Sequence, residues 1–214
     1  AQHNLNYFKS KLKPQVKLMA MVKAYSYGAG AFEIANLLQF NKIDYLGVAY
    51  SDEGVALRKA GITTSIMVMN PDVHSYEKMI KYNLEPEIFN FFTLQKFSEC
   101  VAQQQLSTPY PVHLKIDTGM HRLGFSVNEV DDLIKGLLIN KDLKIQSVFS
   151  HLATSDDVEM IDHTQGQIDS FVQVKKLFTG IFEQDPLFHI LNSAGILTLP
   201  HAQFDMVRLG LGLY

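Results

Sequence analysis

The chain alternates between two hydrophobic periods from its first residues onward. Leu5, Phe8 and Leu12 recur at spacings of three and four, the mark of one helical face, and Pro14 ends that pattern. A continuous apolar run over residues 16–24 follows, as expected of a strand covered on both faces, and Gly28 and Gly30 break it into a loop. The same exchange then continues to the end of the chain. Further extended segments are predicted over residues 45–49, 65–69, 86–89, 112–116, 145–151, 188–191 and 206–212. Helices are predicted over residues 29–40, 52–60, 73–82, 94–104, 127–138 and 161–182, with a short one from Ser193.

Eight apolar strands alternating with helices need cover on both faces, so the pattern predicts an α/β fold, a (β/α)8 TIM-type barrel occupying residues 1–214 as one domain. A doubly wound open sheet is the competing architecture. Closure is favoured by the helix ahead of the first strand, which is available to cover the last gap. The length is somewhat below the roughly 250 residues usual for such a barrel, so the barrel is expected to be nearly complete.

Composition adds little to the fold and narrows the partners. Hydrophobic residues make up 47% and charged residues 19%, as in an ordinary globular domain. A net charge of −3 with no basic run gives no electrostatic case for nucleic acid, while leaving room for a local anion site. Cys100 is the single cysteine and reads as structural, since no intrachain disulfide can form. No segment has the apolar core of a signal peptide or the roughly 18 residues of a membrane span, so a cytoplasmic location is expected. The chain does not begin with methionine, as a piece of a longer protein would not.

The candidate chemistry lies where the predicted strands run out, which in a barrel is one face. Lys23 and Tyr27 follow the first strand, Lys115, Asp117 and Arg122 the fifth, and His151 the sixth. Asn192 and Ser193 follow the seventh, and Arg208 with Gly210 belongs to the eighth. Lys23 comes after the apolar MAMV, which places its amine in an apolar mouth where desolvation would supply the neutral form that attacks aldehydes; a lysine snorkelling at a strand end is the plainer alternative. Ser193 either caps its helix or presents its hydroxyl to phosphate. Asp117 is placed to order the glycine loop that follows it, or else to pair with Arg122. Asp156 and Asp157 read as turn and cap residues. No histidine and carboxylate spacing suggests a metal, and VKAYSYGAG is not a dinucleotide cradle.

Five blocks in order, VKAYSYGAG, KIDTGMHRLGF, HLATSDD, LNSAG and MVRLGLGLY, resemble the barrel domain of the alanine racemases, which use pyridoxal 5'-phosphate. The resemblance implies interconversion of L- and D-alanine for cell-wall peptidoglycan. It implies that Lys23 holds the cofactor as an aldimine and exchanges the Cα proton on one face. Tyr27, Ser193 and the amides of Gly210 and Leu211 would bind the cofactor phosphate, with Asn192 supporting that end and Met69 packing nearby. Arg208 would face the pyridine nitrogen, His151 would orient Arg208, and Arg122 would meet the phenolic oxygen and the substrate carboxylate. Lys115 stands at a position that can be carbamylated. Tyr25, Ala29 and His121 depart from the residues usual in the family, in the cofactor's surroundings rather than at its attachment.

The family also continues into a C-terminal β-domain, absent here, that supplies a tyrosine base for the opposite face across a homodimer. Tyr214 is not placed to replace it. Residues 1–214 alone are therefore expected to be weak or inactive as a racemase. Two other readings compete: a barrel-only pyridoxal phosphate carrier or homeostasis protein without racemase activity, and a non-enzymatic assembly domain.

Overall fold

A computed structural model describes all of residues 1–214. Its strands are β1 (Lys17–Met21), β2 (Tyr45–Val48), β3 (Ser65–Val68), β4 (Leu84–Ile88), β5 (Tyr110–Asp117), the two-residue β6 (Phe125–Ser126), β7 (Leu143–Phe149), β8 (Leu187–His189) and β9 (Met206–Leu209). They run in parallel in the order β8-β7-β5-β4-β3-β2-β1-β9, with β6 attached to β5 alone. The order never reverses, so the sheet lacks the switch point of a doubly wound fold. It closes instead. β9 pairs with β1, and the seam between β8 and β9 is bridged by Asp205 N–H donating to the Phe188 carbonyl (3.0 Å) and Arg208 N–H to that of Leu191 (3.0 Å). The fold is the expected barrel, with one irregular seam.

Helices α1 (Gln2–Lys9), α3 (Ala31–Phe40), α4 (Ser51–Lys59), α5 (Tyr76–Lys81), α6 (Phe91–Gln104), α7 (Val130–Ile139) and α8 (Ile161–Phe178) alternate with the strands, and α9 (Ser193–Thr198) is a short turn after β8. Helix α1 takes the place of a last outer helix beside β9. Its Asn4 side chain donates to the Leu213 and Tyr214 carbonyls (both 3.2 Å), and its Lys9 amine donates to the Asn41 carbonyl (2.7 Å). The helix therefore flanks the β9–β1 junction, whereas the gap in the ladder lies between β8 and β9.

Strands that read as uniformly apolar in fact alternate. Leu18, Ala20, Leu46, Val48, Ile66, Val68, Leu114, Val148, Val207 and Leu209 face the helices and join one core of 49 buried residues. The intervening positions point into the barrel, where Met19, Met21, Tyr45, Met67, Phe149 and Met206 form a separate cluster. The remaining inward positions are polar: Glu85, Glu87, His113, Lys115, Ser147, His189 and Arg208 are all buried. Methionine, as apolar as the aliphatics beside it, hid this period-two pattern in β1 and β3.

Several boundaries moved for local reasons. The first strand stops at Met21 rather than running to residue 24, because Ala24, Tyr25, Ser26 and Tyr27 take φ of 52, 56, 53 and 53°, a single left-handed turn, α2 (Lys23–Tyr27). The last strand ends at Leu209, and Leu211–Leu213 coil into a 3-10 turn instead. Strand β4 begins at Leu84 with Pro86 inside it, where the sequence suggested that proline as its start. Helix α8 ends at Phe178, followed by Gly180 at φ 74°.

Candidate active site

The loops after the strands surround one cavity of about 510 Å³ at the C-terminal mouth of the barrel. Its lining brings together Lys23, Tyr27, Met69, Lys115, Arg122, His151, Asn192, Ser193, Arg208, Gly210 and Leu211; of the strand-end candidates named from the sequence, Asp117 stands outside it. It also contains Glu87, which the sequence did not single out.

The left-handed turn sets the first two of these. Four consecutive non-glycine residues in that region cost about 1–2 kcal/mol each, so the turn persists only because its ends are tied down. Glu53 is the clamp: one carboxylate oxygen accepts from Ala24 N–H (2.7 Å) and the other from Ala49 (2.7 Å) and Tyr50 (3.1 Å). Lys23 enters the cavity half-buried, without a hydrogen bond or ion pair to its amine. The apolar mouth expected around it is instead polar, shared with Lys115, Arg122 and Arg208.

Arg122 is positioned by the loop after β5. Asp117 Oδ1 accepts from the amides of Gly119 (2.9 Å), Met120 (3.0 Å) and His121 (3.1 Å), the loop-ordering role rather than a bridge to Arg122. Burial would raise the Asp117 pKa, but those amides and His121 together hold it below the usual value. The loop returns against its own strand at Gly124, where a Cβ would stand 2.5 Å from Asp117 N. Arg122 is left exposed at the mouth with no protein hydrogen bond.

At the opposite wall, Asn192 rather than Ser193 caps α9, its side chain accepting from Gly195 N–H (3.0 Å) and from Ser155 Oγ (2.8 Å). Ser193 is thereby free for the cavity. Its Oγ accepts from the amides of Gly210 (2.9 Å) and Gly212 (3.2 Å), which occupies both lone pairs and leaves the O–H to donate. A Cβ on Gly210 would lie 3.5 Å from Tyr27 Oη and 3.8 Å from Ser193 Oγ, so the glycine keeps open a small cradle between two hydroxyls. Tyr214 packs against Tyr27 (5.1 Å between centroids) and donates its hydroxyl to the Met21 carbonyl (2.9 Å), outside the lining.

Arg208 forms the floor. Its Nη1 donates to His189 Nδ1, and its Nη2 to the carbonyls of Ser150 (2.6 Å) and Ile190 (3.1 Å) and, at 3.3 Å, to His151 Nδ1. The Nε–H has no protein partner. From His189 a buried relay crosses the barrel: Nε2 to Ser147 Oγ (2.9 Å), Ser147 Oγ to His113 Nδ1 (2.6 Å) and His113 Nε2 to Glu85 (2.8 Å). Arg208 can only donate, so His189 must accept at Nδ1 and carry its proton on Nε2. The donor direction then runs one way to Glu85, and every member is satisfied. Sequence reasoning named His151 for this network and missed His189, a polar residue inside an apolar strand.

Burial, then the cations Arg208, Lys115, Arg122 and Lys23, lower the His151 pKa to about 3, and burial lowers that of fully buried His189 well below its usual 6.5. Burial also lowers Arg208 to about 10, which leaves it cationic at neutral pH. Both histidines stay neutral in the fold and take up protons on unfolding, so their contribution is present above pH 6.5 and is lost as pH falls below it, for His151 down to about 3. Glu87, raised to about 7 chiefly by burial, acts in the opposite sense between 4.5 and 7. Two protons against one leave a net uptake of about one on unfolding near pH 5–6, a stability loss of about 1.4 kcal/mol per pH unit. Urea unfolding between about pH 7 and pH 5 measures it; a midpoint that rises on acidification contradicts this charge assignment.

The sequence model of the alanine racemase N-terminal domain matches residues 1–214. This chain belongs to that family. Among curated relatives, the alanine racemase of Thermodesulfovibrio yellowstonii is 38% identical over 99% of the chain, and that of a Nostoc species 35% identical over 99%. Among solved structures, alanine racemase of Clostridium difficile 630 superposes over 100% of the chain with a TM-score of 0.92 at 32% identity. That of Bacillus anthracis with bound L-Ala-P superposes over 99% with 0.87 at 26%. The chain spans 56% of the Thermodesulfovibrio protein and 54–55% of the two solved chains, so nearly half of each of those racemases lies outside the matched region. No helix of the chain is long and apolar enough to cross a membrane.

Proposed function

We propose that this chain is the pyridoxal phosphate-binding barrel of an alanine racemase that interconverts L- and D-alanine, with Lys23 as the cofactor lysine and the base for one face of Cα. The observation that carries the reading is the donor set of the cavity: one unpaired lysine amine, a hydroxyl cradle and a guanidinium with one N–H to spare. These fit a phosphorylated pyridine aldehyde at its three ends. Pyridoxal phosphate, when bound, supplies a ring that accepts the electrons left at Cα when its proton departs.

The chain's own residues bind and orient. Tyr27, the Ser193 O–H and the amide of Leu211 would hold the phosphate; the Gly210 amide, expected there from the sequence, is instead committed to Ser193 Oγ and steadies it, and Asn192 keeps Ser193 in place through the α9 cap. The Arg208 Nε–H donates to the ring nitrogen. A guanidinium gives up no proton at neutral pH, so the ring stays a weaker electron acceptor and side reactions are restrained. His151 and His189 hold Arg208 by accepting from it. Arg122 meets the substrate carboxylate, and Met69 packs the apolar side of the cavity. The Lys23 amine takes or returns the Cα proton on its face. Treatment with pyridoxal phosphate followed by borohydride should attach the pyridoxyl group to Lys23, as read by peptide mass spectrometry. Labelling elsewhere, or none in folded protein, removes this reading.

Racemisation needs a second base on the opposite face, and Tyr214 has its hydroxyl committed to the Met21 carbonyl. We assign that base to the C-terminal β-domain of a partner subunit in a homodimer. Exposed Tyr25, Tyr50, Val158 and Leu211 on the loops around the mouth support a domain docking there. The product would serve cell-wall peptidoglycan in the cytoplasm. Residues 1–214 expressed alone should bind the cofactor and racemise alanine at least about 10²-fold more slowly than the full-length protein. Equal turnover would remove the two-subunit site.

A further inference from the structure

The polar groups inside the barrel differ in how well they are matched. Every member of the Glu85–His113–Ser147–His189–Arg208 relay has its partner. Glu87, two residues along β4 from Glu85, does not. It is 1% exposed, its Oε1 lacks any hydrogen bond, and the nearest cation, the Lys115 amine, stands 3.6 Å away. A buried carboxylate left so loosely held requires a reason, because an unpaired buried anion is among the most costly groups a fold can contain.

The reason lies in its neighbours. Lys115 enters from β5 with its amine over the Phe149 ring (5.1 Å), and Arg208 enters from β9 over the same ring (5.2 Å). Arg122 approaches from the loop above. Those three cations are the charges that act on Glu87, and above its raised pKa of about 7 Glu87 is the buried anion of the cavity lining. Burial and the two arginines push Lys115 toward its neutral form, and only Glu87 acts the other way.

We propose that Glu87 is the resident anion of this cavity and a positioning residue: it holds Lys115 as an ammonium ion, offsets Arg122 and Arg208, and thereby excludes a carbamate at Lys115. Carbamate formation joins the neutral Lys115 amine to carbon dioxide through one new N–C bond and releases one proton. The position would change from cation to anion directly beside Glu87. Two unit charges about 4 Å apart at an effective dielectric near 20 shift such an equilibrium about 10³-fold. The anion that a carbamate would place beside Arg122 is already built into β4. Its part in turnover rests on the racemase reading above; the charge arrangement does not.

The test uses the full-length protein in ¹³C-bicarbonate buffer, observed by carbon NMR, with Lys115→Arg as the blank. Wild type should give no Lys115-dependent carbamate resonance, and the isosteric Glu87→Gln, whose amide can donate to a carbamate oxygen, should gain one. Glu87→Ala serves as a second variant. In parallel, wild-type turnover should be the same in carbon dioxide-free and bicarbonate buffers, while the Glu87 variants should recover activity with bicarbonate. A carbamate resonance in wild type overturns the proposal. So does its absence from wild type and both folded variants, because something other than Glu87 would then keep Lys115 unmodified. The NMR measurement needs no cofactor, so failure of pyridoxal phosphate to label Lys23 would sink the functional reading and leave this result standing.

Discussion

Lys23→Ala should abolish covalent retention of pyridoxal phosphate and reduce racemase turnover of the full-length protein by at least about 10³-fold. The side chain makes no structural contact that its loss would break, since its amine has no hydrogen bond or ion pair, and it is half-buried at the cavity edge. The left-handed turn that presents it is clamped through the Ala24 amide by Glu53, independently of the lysine. Unfolding midpoints should therefore match wild type within about 0.5 kcal/mol, the range of substitutions that disturb no packed feature. The contrast between lost chemistry and kept stability is what identifies a reacting group. Retained turnover in the alanine variant would show that the proton on this face moves through another residue.

Arg208→Leu should be the most destabilising single change at the site, costing about 3–5 kcal/mol. Its guanidinium satisfies the buried carbonyls of Ser150 and Ile190 and the Nδ1 of His189, and leucine satisfies none of them. Part of the acid sensitivity should disappear with it, because the charge of Arg208 helps to keep His151 and His189 neutral. Arg208→Lys keeps the charge but offers donors from one point, which cannot reach acceptors on β8 and beyond β7 together. An intermediate stability is expected for it. Urea unfolding of the three proteins at about pH 7 and pH 5 separates the contributions, and a leucine variant as stable as wild type would show that the buried acceptors find other donors.

Much of this site was legible in the residues. Lys23, Arg122, His151, Ser193 and Arg208 each lie in a short block ending a strand, and a barrel brings strand ends to one mouth whatever the intervening lengths. What escaped was of two kinds. The left-handed turn at residues 24–27 has no composition signal, since alanine, tyrosine and serine carry no preference for positive φ; tertiary clamping by Glu53 imposes it. Ser193 read more readily as a helix cap than as a ligand until Asn192 was seen to take the cap.

The inward face of the barrel was the larger omission. Glu85, Glu87, His113, Ser147 and His189 were not singled out in the sequence, yet they form the relay to Arg208 and the anion beside Lys115. Hydrophobic period and strand-end motifs act locally, over one turn or one pleat, so the sequence by itself determined the order of elements and the family, while the division of each strand into a helix-facing and an inward face came from the structure. Hydrogen bonds and close ion pairs act over about 3–4 Å between residues that here stand 19 to 42 positions apart, so only closure of the barrel decided which polar groups meet.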